Sequence, residues 1–298
     1  MSNLTTNNDE KIFSSSLIVI AICFAIAFFG FGYVLVKLPE ITPEQIEIYQ
    51  KGTACIQGGW RYALILTHIL TFVLIPLAMR IFYQALNNII LDPKLGTKAV
   101  FASQLGLAFI MVSIASEIGW HVTQCWYYQN DFTMLNFMFY FFLISGFALW
   151  ANGLSKDTNT ITNVVNIVFA LSLLAVSILY PIGYQNHDPS FKVPIYIALT
   201  LVFTVLTYRG YQLIQDWKII FFPIFSVGVN LSFVFLLDKY GGTPEHPQIV
   251  YNALFHILHD LAGTLAGVAI FTWLVYQKGI LQTQKTTSNE TQLSESQI

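Results

Sequence analysis

The chain has 298 residues, 55% of them apolar and 10% charged, with a net charge of −2. Ordinary soluble domains carry roughly 25% charged residues, so this composition excludes a soluble enzyme and defines a polytopic membrane protein. The 14 Lys and Arg form no basic patch of the kind that binds nucleic acid.

A hydrocarbon core of about 30 Å takes about 20 apolar residues per helix. Windows near that length, bounded by polar or Pro/Gly punctuation, predict an all-α bundle of about eight transmembrane helices: 14–36, 61–84, 98–124, 132–153, 160–183, 191–211, 217–237 and 249–277. Before the first span, residues 1–13 form a polar tail that is too poor in apolar side chains to order itself. The first span itself has a leader both acidic and basic and an apolar run longer than a signal-peptide core, so it reads as a retained helix. The second span carries His68 and Pro76, the third carries Ser113, Glu117 and His121, and the fourth and fifth hold no titratable cluster. His187, in YQNHDPSF, and His246, in GGTPEHPQ, sit in Pro/Gly-rich connections and read as solvated loop residues. The seventh span holds Pro223, expected to kink or end a helix, and a lone Asn230, expected to bond to a neighbouring helix. Residues 14–277 thus form the helical domain, and 278–298 form a second disordered tail.

Nine of the 14 Lys and Arg fall on the side of the two termini and five on the other. By the positive-inside rule both termini are expected to be cytoplasmic. Cys55 and Cys125 then fall on the non-cytoplasmic side, as a disulfide or as two separate thiols, while Cys23 lies in the first span. Trp60, Trp120, Trp126, Tyr127 and Tyr128 gather at span ends, where an interfacial belt accounts for them.

The last span contains NALFHILHDLAGTLAG, with Asn252, His256, His259 and Asp260 in nine positions of an otherwise apolar run. A charged carboxylate at mid-bilayer costs about 2.5–3.5 kcal/mol on insertion scales, so a partner must offset it. At about 1.5 Å per residue from the outer surface, His68 lies about 12 Å deep, His256 about 10 Å, and His259 and Asp260 about 15 Å. His121 lies near the same surface with Glu117 a turn deeper, so four of the six His collect with two carboxylates in the outer half of three helices. Ser113, Glu117 and His121 follow i, i+4, i+8 on one stripe; Asn252, His256, His259 and Gly263 share a second, with Asp260 at its edge. Lipid offers such groups no hydrogen-bond partner, so both stripes are expected to face the bundle interior. Taken alone, His68 reads more simply as a hydrogen-bonded packing residue.

Imidazoles and carboxylates in this arrangement are ligands for zinc or non-haem iron, and zinc with an open position would activate water. Residues 252–263 resemble the final-helix motif of the alkaline-ceramidase and adiponectin-receptor-like superfamily of seven-helix membrane hydrolases. There a His-x-x-x-His pair precedes a small, Gly-bearing stretch. The family's Ser-x-x-x-His, with an Asp about ten residues on, is echoed by Glu117-Ile-Gly-Trp-His121 and then Asp131. The resemblance implies one added N-terminal helix on a seven-helix core. It also implies a zinc site formed by His121 and last-helix residues, activating water against an amide or ester of a lipid-like substrate. On that reading His121, His256 and His259 are the expected ligands; of the candidate catalytic carboxylates, Glu117 is the expected general base or acid and Asp260 a further ligand or the group that orients one. Asn252 stands in place of the family's first His, and Glu117 in place of its Ser. Two other chemistries fit the same residues. Glu117 and Asp260 without a metal could form an acid/base pair acting on a lipid or isoprenoid. His68 or His121 opposite His256 or His259 could ligate a haem in an electron carrier or sensor. No inverted repeat supports a carrier.

Overall fold

The computed structural model describes residues 58–89, 93–123, 134–154, 192–240 and 249–279, and part of 167–182. The predicted first span, both tails, Cys23, Cys55, Cys125, Asp131, His187 and His246 lie outside the described residues, as do the side chains of Asn230 and Asn252. The chain is an all-α transmembrane bundle. Helix α1 runs Gly58–Ile89, α2 Pro93–Thr123, α3 Met134–Gly153 and α4 Lys192–Ile214. Helix α5 covers 217–240 as a 3-10 turn (Trp217–Ile220), a short α segment, a π stretch (Ile224–Val229) and an α-helix (Asn230–Tyr240). Helix α6 covers 249–279, with a π stretch at Asp260–Leu265. Between α3 and α4, the described residues from 167 to 182 are also helical.

Among the described residues, five segments are long and apolar enough to cross a bilayer: Tyr62–Asn87, Gly96–Gly119, Leu135–Gly153, Val193–Ile214 and Trp217–Leu236. Helix α6, interrupted by its π stretch, is still about 45 Å long at the α-helical rise and can cross as well. The predicted spans differ from these helices by a few residues at each end. Pro93 opens α2, where its missing N–H would be unpaired anyway. Pro76 lies inside α1 without ending it. By contrast, Pro223 directly precedes the π stretch of α5, as expected where a ring removes one donor from the helical ladder. Helix α4 stops at Gln215, whose positive φ of 57° turns the chain, and the Asp216 carboxylate caps the next turn by accepting from the Lys218 N–H at 2.9 Å.

Helices neighbouring in sequence also neighbour in space, and α6 returns to pack on α1 and α5, closing the bundle. Lipid tails supply no hydrophobic drive between helices, so close backbone approach has to hold them together. At Gly106 of α2 an added Cβ would stand 2.6 Å from the Gly146 carbonyl oxygen and 2.7 Å from the Trp150 nitrogen of α3. Gly153 lies as tightly against Ser103 and Ala99, and Gly279 at the end of α6 against Ala85 of α1. Both neighbours of Gly106 are backbone and cannot swing aside. Gly106→Ala is therefore expected to cost about 1–3 kcal/mol, read as a lower thermal midpoint in detergent.

One end of the bundle is an aromatic core. The Trp150 ring lies 5.0 Å from both Phe82 and Phe271, and Phe222 lies 5.0 Å from Phe271, so α1, α3, α5 and α6 meet there. Gly210 of α4 leaves the space that the Phe271 ring fills. His68 and His256 lie about four helical turns before Phe82 and Phe271 on their own helices, which puts the polar cluster about 20 Å from the aromatic core.

Candidate metal centre

Helices α1, α2 and α6 each deliver polar side chains to one point. His68 comes from α1, Glu117 and His121 from the last turns of α2, and His256 from α6, all four buried. Each offers one ligand atom, and these atoms all lie within 4.8 Å of one another. The His68 and His121 ring centroids are 4.7 Å apart, His121 and His256 5.0 Å, and His68 and His256 5.7 Å. Glu117 sits among them with Oε2 3.3 Å from His68 Nε2 and Oε1 3.8 Å from His256 Nε2. A second group, His256, His259 and Asp260, meets the same 4.8 Å limit and shares His256 with the first.

The proton positions on His68 follow from its neighbours. Nδ1 lies 2.8 Å from the Leu64 carbonyl oxygen and 3.3 Å from Asp260 Oδ2. Both are acceptors, so Nδ1 carries the hydrogen and Nε2 of a neutral ring is a lone pair. That lone pair faces the Glu117 carboxylate at 3.3 Å, without the geometry of a hydrogen bond. Two acceptors held this close need a proton or a cation between them. Among the described residues, the groups within ion-pair distance of Glu117 and Asp260 that can carry positive charge are histidines. The cluster thus presents two buried carboxylates, a charge that one divalent ion or two imidazolium rings would cancel.

Distances decide between a loose polar network and a ligand set. Two donors bound to zinc at 2.0–2.1 Å with a tetrahedral angle stand about 3.3 Å apart. The His68–Glu117 separation of 3.3 Å matches that edge, and the His256–Glu117 separation of 3.8 Å is within a small side-chain movement of it. These four side chains therefore fit a small hard or borderline cation.

The remaining sequence candidates have distinct places. His259 is partly exposed, with Nδ1 3.1 Å from Asp260 Oδ1, and it joins the second group rather than the first. His68 occupies the position beside His121 and His256 that spacing on α6 alone would assign to His259. Ser113 is fully buried, but its hydroxyl donates to the Phe139 carbonyl oxygen of α3 at 2.7 Å. Ser113→Ala is accordingly expected to cost about 1 kcal/mol of stability, read as a lower thermal midpoint in detergent. Ser116 donates back to Val112 of its own helix at 2.8 Å.

An apolar helical bundle closed around a buried histidine and carboxylate cluster defines a polytopic integral membrane protein with a polar centre inside its helices. A family model described as seven transmembrane receptor, 7TM_cyano, matches residues 60–281, and the chain belongs to that family. The match begins at the second predicted span, which accords with a seven-helix core preceded by one more predicted helix. Comparison with curated proteins and with solved structures gave no match.

Proposed function

We propose that this membrane protein holds a divalent cation, most simply zinc, at His68, Glu117, His121 and His256, and hydrolyses an amide or ester bond of a lipid-like substrate. The observation that carries the reading is the meeting of His68 Nε2 and Glu117 Oε2 at 3.3 Å in a group whose ligand atoms lie within 4.8 Å. With water as a fifth ligand, or in place of the Glu117 oxygen, zinc would supply a water whose pKa falls to about 7, a hydrolytic nucleophile at neutral pH.

The chain's own groups have separable tasks. His68, His121 and His256 present ring nitrogens from three helices, so the site exists only when the bundle is assembled. Glu117 faces two of these rings through different oxygens, which leaves one oxygen able to take or return a proton. The Leu64 carbonyl oxygen, 2.8 Å from His68 Nδ1, fixes that ring's orientation, and Asp260 Oδ2 stands 3.3 Å from the same nitrogen, where its charge favours the imidazole as carboxylates do behind metal-bound rings. Burial of all five excludes bulk water and strengthens each of these interactions. The likeness of His256 and its surroundings to the alkaline-ceramidase and adiponectin-receptor-like motif supports the hydrolytic reading. The excess of Lys and Arg on the terminal side supports cytoplasmic termini and places the cluster in the outer half of the membrane under this reading.

The family description favours a second reading, in which the same centre locks α1, α2 and α6 together in a ligand-responsive receptor. Imidazole rings 4.7–5.7 Å apart with a carboxylate among them favour a small ion over a porphyrin. One detergent-purified sample tests the set. Elemental analysis should find zinc or iron, and a chelator should abolish hydrolysis of a fluorogenic lipid amide or ester. Bound metal without hydrolysis supports the receptor, a Soret band supports haem, and chelator-resistant hydrolysis supports a metal-free Glu117/Asp260 pair. Metal-free protein whose melting is indifferent to zinc would sink the metal centre.

A further inference from the structure

We propose that the cluster holds two divalent cations, the second bound by His259 and Asp260 against His256. The proposal rests on the metal centre of the preceding section and extends it. The two ligand groups share His256, and in each the ligand atoms lie within 4.8 Å of one another.

Asp260 is the residue that makes two sites out of one cluster. Its Oδ2 turns inward, 3.3 Å from His68 Nδ1 and 3.9 Å from His256 Nε2, while Oδ1 turns outward to His259 Nδ1 at 3.1 Å. That outer separation is close to the roughly 3.3 Å edge expected for two donors on one tetrahedral ion. The carboxylate therefore supports the first site with one oxygen and offers the other to a second ion. Dinuclear centres in helical bundles also draw six donors from facing helices, there four carboxylates and two imidazoles, and hold ions about 3.5–4 Å apart; here four imidazoles and two carboxylates converge, a set richer in the nitrogen donors that zinc takes.

Helix geometry adds an independent reason. Sequence neighbours on an α-helix diverge by about 100°, so His259 and Asp260 should point away from each other. Here the α-helix ends at His259 and a π stretch starts at Asp260, and the two side chains meet. Single π turns inside helices are frequent at functional sites because they re-aim side chains in this way. Access differs between the sites too: the His259 side chain is 21% exposed, against 2% for His68 and 7% for His256. A second ion can enter and leave past His259 after the first is enclosed.

The test uses the full chain in detergent, loaded with zinc and dialysed against metal-free buffer. Elemental analysis should return about two zinc per chain for the wild type and about one for His259→Ala. Cobalt(II) titration followed by visible absorption should break at about two equivalents in the wild type and about one in the variant. His259→Gln, nearer in volume, serves if the Ala variant is not recovered folded. A wild-type value of about one that His259→Ala leaves unchanged overturns the second site while the first stands. A wild type with no bound zinc overturns both.

Discussion

Replacing His256 by Ala is expected to strip the purified protein of zinc and to end its lipid hydrolysis. His256 is the residue common to both ligand groups, and its Nε2 faces Glu117 at 3.8 Å and Asp260 at 3.9 Å. Removing it takes one donor from each group and leaves two buried carboxylates with less positive charge among them. Loss of one partner from a buried charged set costs about 3–5 kcal/mol. An ion present at about 1,000 times its Kd adds about 4 kcal/mol to the folded state. For a chain of this size 1 kcal/mol moves the melting midpoint by about 2–4 °C, so chelation should lower the wild-type midpoint by about 8–16 °C. The variant should melt early and no longer respond to chelator, and His256→Gln should behave alike with milder loss of yield. Full zinc occupancy in either variant would take His256 out of the centre.

Glu117→Gln addresses the chemistry rather than the occupancy. The substitution keeps the shape of the side chain and removes the charge that faces His68 and His256. At limiting zinc the variant should bind less metal than the wild type, because a neutral amide is a weaker ligand than a carboxylate. Excess zinc should refill the site without restoring hydrolysis, which stays down by about 10²–10⁴, the range that a positioned acid/base group contributes. Full hydrolysis at saturating zinc would limit Glu117 to metal binding. A dead variant beside a wild type indifferent to chelator would move the chemistry to a metal-free carboxylate pair.

Part of this site is legible along single helices. Composition and span length define the bundle, and depth counted from the span ends gathers Glu117, His121, His256 and Asp260 in the same half of their helices. What a single helix cannot show is which neighbours share that level and face. His68 is an isolated imidazole on α1, so nothing in its own helix distinguishes a packing residue from a ligand. Its depth, close to that of His256, is the one signal that points to the cluster. Ser113 illustrates the opposite case. Positions i, i+4 and i+8 drift by about 40° per step, so Ser113 lies about 80° around α2 from His121. That turn carries its hydroxyl away from the imidazoles to the Phe139 carbonyl of α3.

The π stretch of α6 has no local signature either. DLAGTL contains no proline, and its widened turn lies against the π stretch of α5, with the Ser226 hydroxyl filling the space a side chain on Gly267 would need. Where Pro223 explains the first π stretch, packing between helices accompanies the second.

By itself the sequence determined the solvent, the helical class, the chemical kinds of group placed in the membrane-spanning helices and their spacing along each helix, because lipid imposes apolar length and the helix imposes a fixed rise. The tertiary structure alone decided that His68 stands with Glu117, His121 and His256, that His259 pairs with Asp260 in a second group, and that Ser113 serves the backbone. Those outcomes depend on the rotation and contact of whole helices, set by close approaches such as Gly106 on Gly146 and Gly267 on Ser226, between residues far apart along the chain.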